Sequence, residues 1–170
     1  PLVRLTSNSS EQIKRVMDAG AHGVVVPMVC SGDDARAAVA AVRYPPVGKR
    51  GVGLARAQGY GSSFETYKSW QESEATVVVQ VEHIEAVNNL EEILTTDGVD
   101  AYIVGPYDLS GSMGIPGEFE DSKFIEAMNR IRAIAEQLKV PGGVHLIEPN
   151  PAELLRLVEQ GNEFIAYSLD

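Results

Sequence analysis

Val99-Asp100-Ala101-Tyr102-Ile103-Val104-Gly105-Pro106-Tyr107-Asp108-Leu109-Ser110 decides how the rest of the chain is read. Its apolar run suits a strand buried on both faces, as in a parallel sheet. Gly105-Pro106 breaks it, and Asp108 stands immediately beyond. Upstream, Thr76-Val77-Val78-Val79-Gln80-Val81-Glu82 repeats the arrangement, Val-rich and closing on an acid. Ligands of parallel α/β sheets sit outside the carboxyl ends of the strands, so two carboxylates delivered by two strand ends aim at one place. Paired oxygen ligands of this kind suit a hard divalent cation such as Mg²⁺ or Mn²⁺.

Working outward, strands are predicted over residues 1–5, 23–29, 76–82, 99–104, 140–147 and 163–169. Ser10 is read as the cap of a helix over 11–19 that Gly20 ends, and Ser31 as the cap of a helix over 33–42. Further helices are predicted over 64–71, with Trp70 as a packing residue, over 84–94, over 151–160, and over 122–138. The last places Phe124, Ile125, Met128, Ile131, Ile134 and Leu138 at helical spacing. Residues 110–117 are too rich in glycine for a regular element. Six strands with helices between them indicate βα units and a parallel sheet. An open doubly wound sheet is the alternative, but no Gly-rich first turn or ribose-binding acid supports a dinucleotide site. The expectation is an α/β fold, a (βα)₈ TIM barrel seen without its first two βα units and final helix, with residues 1–170 a single domain making up most of it.

Composition narrows the partners. The 170 residues carry a formal net charge of −10, which argues against nucleic acid or an anionic membrane surface. No stretch approaches the roughly 18 apolar residues that span a bilayer, and no signal peptide opens the chain, so a cytoplasmic protein is expected. Cys30, the single cysteine, cannot form an internal disulfide and is read as a buried small residue without a Cys/His cluster for zinc. His83 reads as a turn or supporting residue beside Glu82, His145 as a core histidine, and His22 as lying before its strand. Over residues 43–57, prolines and glycines forbid a long helix or central strand. Two readings stand there: a lid carrying Arg50, with Lys49, to an anionic substrate, or a solvated connector.

Five ordered motifs carry a resemblance. Pro1-Leu2-Val3-Arg4, Ala19-Gly20-Ala21 with Val26-Pro27-Met28-Val29, Arg43-Tyr44-Pro45-Pro46 with Arg50-Gly51, Gln80-Val81-Glu82 and Gly105-Pro106-Tyr107-Asp108-Leu109-Ser110 resemble the HpcH/HpaI aldolase family. These are class II pyruvate aldolases of the 4-hydroxy-2-oxoheptanedioate aldolase type, in the superfamily that includes citrate lyase β-subunits. The resemblance implies a metal-dependent carbon–carbon lyase, hexameric as a trimer of dimers, cleaving a 4-hydroxy-2-oxo acid reversibly to pyruvate and an aldehyde. Substrates of the 2-keto-3-deoxy sugar acid or 4-hydroxy-2-oxoheptanedioate type are implied, with some oxaloacetate decarboxylation.

Position by position, the resemblance makes Glu82 and Asp108 the metal ligands, for Mg²⁺ or Mn²⁺ with Co²⁺ as a third candidate. It makes Arg4 the catalytic arginine at the keto oxygen, and places the 2-oxo acid against Arg4, Gly105, Tyr107 and Asp108. One departure stands out: the family's base is a histidine assisted by an aspartate, both ahead of the arginine strand, and neither has a counterpart here. The chain is therefore expected to be a fragment of a longer enzyme, with a catalytically silent metal- and 2-oxo-acid-binding relative as the alternative.

Overall fold

The structure, a computed structural model, describes residues 1–168. Its strands are β1 (Leu2–Arg4), β2 (Gly23–Val26), β3 (Thr76–Val81), β4 (Ala101–Val104), β5 (Gly142–Leu146) and β6 (Phe164–Tyr167). Its helices are α1 (Ser10–Ala19), α2 (Gly32–Val42), α3 (Phe64–Ser73), α4 (Ile84–Asn88), α5 (Leu90–Leu94), α6 (Pro106–Ser112), α7 (Ser122–Leu138) and α8 (Pro151–Glu159). Leu169, expected to end the last strand, lies outside the described residues.

Every neighbouring pair of strands is parallel, in the order β1-β2-β3-β4-β5-β6. That order sets aside the doubly wound sheet, whose order reverses at a switch point. The sheet winds in one direction instead, as a curled half-barrel. Its two faces follow the period-2 alternation of strands. Val24, Val26, Val77, Val79, Val81 and Val104 share the main core with Ile13 and Met17 of α1, Leu90 and Ile93 of α5 and Ile131 of α7. Val25, Val78 and Ile103 face the other way, in a smaller cluster with Ala101, Phe164 and Ala166. Register carries this parity across the sheet. Arg4 pairs with Val25 and Gln80 with Ile103, so Arg4 and Gln80 belong to the inner face.

Local chemistry explains where elements begin and end, including four places where the structure differs from the sequence expectation. Ser9, one residue before the expected cap, accepts from the Gln12 amide at the start of α1; Gly20 at φ 108° closes that helix with its N–H on the Met17 carbonyl. Ser31 caps α2 as expected, accepting from the Asp34 amide at 3.1 Å. The helix expected over 84–94 is two short helices, because Asn89 leaves helical geometry (φ −104°, ψ 14°) and its side chain donates to the Cys30 carbonyl at 2.8 Å. The glycine-rich stretch after Gly105 begins as a helix, α6, with Pro106 in its first turn, where the missing N–H costs nothing. Ser110 and Ser112 hydroxyls brace it by donating to the Tyr107 and Leu109 carbonyls. In α7 the buried stripe is Phe124, Ala127, Ile131 and Ala135, which leaves Ile125 43% exposed.

Candidate active site

Glu82 is the first residue beyond β3 and is only 6% exposed. Both oxygens of its carboxylate are held. Oε1 accepts from the Met28 amide at 2.7 Å, and Oε2 accepts from Gln80 Nε2 at 2.7 Å. Met28, just past β2, takes φ 53°, the left-handed region that non-glycine residues rarely adopt, and that turn directs its N–H at Glu82. Gln80 shares the inner face with Glu82 because the two are separated by one strand period. Its Oε1 is buried with no hydrogen-bond partner among the described residues.

Burial pushes the Glu82 carboxyl above the usual carboxylate range; the Met28 hydrogen bond opposes that, nearby Asp108 adds to it, and the Arg4 charge opposes it. Arg4, Glu82 and Asp108 therefore lie within electrostatic reach of one another. Arg4 is the last residue of β1, and Asp108, exposed, sits in the first turn of α6 after β4. All three are delivered by the carboxyl ends of parallel strands, as their positions in the sequence indicate.

Gly105 caps α6 from a conformation any residue can adopt, φ −98° and ψ 94°. Its role is spatial: a Cβ there would stand 3.1 Å from Gln80 Nε2, 3.2 Å from Glu82 Cβ and 3.2 Å from Glu82 Oε2. The residues fit a hard divalent cation on chemistry and on space. Two carboxylates of like charge face one region, one of them buried at a cost that a cation would relieve, and the glycine keeps the approach to Oε2 clear. The first-turn amides of α6 have no intrahelical partner. Tyr107, exposed, stacks edge-on to Phe119 at 4.9 Å.

Other expectations are corrected. Arg50 is 2% exposed, donates to the Tyr67 hydroxyl at 2.9 Å and lies over the Tyr44 ring at 4.2 Å. It is an anchor that pins residues 43–57 to α3, so the lid reading fails for Arg50, and the connector is tied down at that point rather than solvated. Cys30 is half-buried beside His83 and Glu85, one ligand atom from each lying within 4.8 Å of the others; the expectation of a buried cysteine without metal-ligating neighbours is wrong. Burial first, then Asp34, Glu85 and Glu82, push its thiol above the ordinary range. His83 caps α4, accepting from the Glu85 amide through Nδ1. His145 places Nε2 2.8 Å from the Ser168 carbonyl, and His22 packs edge-on against Trp70. Sequence reasoning missed Met28 and Gln80. A glutamine interrupting a valine run, two residues before an acid, was the available signal for Gln80; Met28 acts through its backbone and leaves none.

The sequence profile of one family, HpcH/HpaI aldolase/citrate lyase, matches residues 1–170. The chain is 40% identical over 170 residues to a hydroxypyruvate/pyruvate aldolase of Sagittula stellata, covering 99% of this chain and 66% of that protein. It is also 40% identical over 173 residues to a 4-hydroxy-2-oxo-heptane-1,7-dioate aldolase of Salmonella heidelberg, covering 100% and 64%. A crystal structure of an HpcH/HpaI aldolase/citrate lyase family protein from Burkholderia cenocepacia superposes with a TM-score of 0.92 at 34% identity, over all of this chain and 67% of that one. The chain thus spans about two thirds of the length of these relatives.

Proposed function

The chain belongs to the HpcH/HpaI aldolase/citrate lyase family, and on that premise we propose that it supplies the metal- and pyruvate-binding side of a lyase cleaving 4-hydroxy-2-oxo acids to pyruvate and an aldehyde. The segment corresponds, in this reading, to six units of a (βα)₈ barrel. The observation that carries the proposal is the buried Glu82 carboxylate, gripped by the Met28 amide and Gln80 with Asp108 and Arg4 in electrostatic reach.

Glu82 and Asp108 would hold a divalent cation. When bound, that cation supplies positive charge opposite the 2-keto oxygen, where negative charge gathers as the substrate's C3–C4 bond breaks. Arg4 donates hydrogen bonds to the same oxygen; its planar fork can also engage a carboxylate oxygen. The Tyr107 and Asp108 amides in the first turn of α6 receive the 2-oxo acid's carboxylate, a group that a helix N-terminus favours. Pro106 has no N–H to contribute. Met28 and Gln80 fix the orientation of Glu82, and Gly105 leaves room for the ligand beside it. As the bond breaks, its electron pair stays on C3 of the pyruvate fragment, and the 4-hydroxyl loses its proton as the aldehyde carbonyl forms. The resemblance places the group that takes that proton ahead of the strand that carries Arg4.

Mn²⁺ titration of the protein and of Glu82→Gln and Asp108→Asn tests the ligand assignment. Both variants are expected to bind Mn²⁺ at least about tenfold more weakly, the effect of losing one charge-assisted contact. Unchanged affinity in both would overturn it. Pyruvate release from 4-hydroxy-2-oxo acids, with and without chelator, tests the activity.

A further inference from the structure

A second set of metal-ligating side chains lies beyond the carboxyl ends of β2 and β3. Cys30 follows β2 and His83 follows β3, so adjacent strands bring them together; Glu85 enters from the first turn of α4. One ligand atom of each lies within 4.8 Å of the other two. We propose that Cys30, His83 and Glu85 form a binding site for a borderline divalent cation of the Zn²⁺ class, separate from the all-oxygen pair Glu82 and Asp108.

The ligand chemistry selects the ion. Sulfur, imidazole nitrogen and one carboxylate suit Zn²⁺ or Co²⁺ rather than Mg²⁺ or Ca²⁺, and three protein ligands leave a fourth tetrahedral position for water. Around tetrahedral zinc, with bonds of roughly 2.0–2.3 Å, such atoms stand about 3.4–3.6 Å apart. No pair need draw in by more than about 1.4 Å, a movement that side-chain rotation of half-buried Cys30 and exposed Glu85 supplies.

The backbone beneath the site is fixed. The Cys30 N–H donates to Asp34 Oδ2 at 3.1 Å, and its carbonyl accepts from Asn89 Nδ2 at 2.8 Å. The Ile84 amide, between the other two ligands, donates to Ser112 Oγ at 2.9 Å. His83 Nδ1 already faces Glu85, accepting from its amide at 3.2 Å and lying 3.9 Å from Oε2, so a cation would take the lone pair that now caps α4. Asp34 and Glu82 add negative potential at Cys30, which favours a cation there.

Cobalt makes the proposal visible. A thiolate bound to Co²⁺ gives a near-ultraviolet charge-transfer band that oxygen ligands do not, so metal-stripped protein titrated with Co²⁺ is expected to develop the band and lose it when Zn²⁺ displaces Co²⁺. Cys30→Ser should abolish the band and weaken Zn²⁺ binding at least tenfold, measured by competition with a chromophoric chelator. His83→Asn should weaken Zn²⁺ to a similar degree while retaining a side chain that caps helices well. Glu82→Gln should leave the band in place. A wild-type protein that binds Co²⁺ without the band, or Zn²⁺ affinity unchanged in both Cys30→Ser and His83→Asn, overturns the site.

Discussion

Gly105→Ala isolates the geometry of the Glu82 carboxylate from everything else in the protein. The backbone at Gly105 suits alanine, so the whole effect comes from one added carbon. That carbon would meet Gln80 Nε2 at 3.1 Å and Glu82 Cβ and Oε2 at 3.2 Å, closer by about 0.3–0.8 Å than relaxed non-bonded contacts. Neither partner can retreat easily, because Gln80 and Glu82 bond each other and Met28 holds Glu82 from the far side. Overpacking of this kind costs about 1–2 kcal/mol, which lowers Tm by roughly 3–6 °C in a chain of this size. The carboxylate must move by a few tenths of an ångström. Since a misplacement of about 1 Å can cost 10²-fold, a loss of about tenfold in Mn²⁺ affinity is expected. Calorimetric titration and a thermal melt measure the two effects. Gly111→Ala in α6, where an added Cβ meets nothing within 4 Å, is the control and should stabilise by about 0.5–1 kcal/mol. Wild-type Mn²⁺ affinity in Gly105→Ala would refute the placement of Glu82 against the α6 entry.

Further outcomes follow from the same structure. A raised Glu82 carboxyl means that the folded protein holds this proton more tightly than the unfolded chain, so stability falls as pH rises from the usual carboxylate range through the folded value. Glu82→Gln removes that fall because it no longer buries a carboxylate charge; its Tm in chelator at neutral pH should exceed that of the wild type, and a lower Tm contradicts the account. Arg4→Lys keeps the charge but loses the fork, and pyruvate release should drop on the order of 10²-fold; undiminished turnover would make Arg4 structural. Gln58 is fully buried, donates to Tyr44 Oη at 2.9 Å and Asp18 Oδ1 at 3.1 Å, and accepts from the Ala55 amide. Gln58→Leu should cost about 2–3 kcal/mol by urea unfolding while leaving Mn²⁺ affinity intact, which separates stability of the connector from the site.

The strands and the acids at their ends were legible because both depend on short-range order. A valine run has one economical use in a sheet buried on both faces, and its last residue is necessarily at the site end. Glu82 and Asp108 stand at strand ends on that basis, whereas Arg4 is singled out only by the family resemblance. What escaped depended on pairings across the sheet. The break at Asn89 follows from a bond to Cys30, 59 positions away. Arg50 has the composition of an anion-binding hand, and only the positions of Tyr44 and Tyr67 show that it is buried against their rings. The Cys30, His83 and Glu85 cluster has no spacing signature at all, since its members meet through the register of β2 and β3.

Met28 illustrates what such a backbone contact means for variation. Its side chain is 52% exposed, and the work at this position is done by a peptide N–H that nineteen of the twenty amino acids possess. Tolerance here should therefore be ordered by torsion angle rather than by side-chain character. Glycine and asparagine, at ease with positive φ, would pass unnoticed; valine and isoleucine would be disfavoured despite their resemblance to methionine; proline, with neither the amide nor the angle, would release Glu82. A position that looks indifferent to chemistry would still be inherited strictly in its geometry.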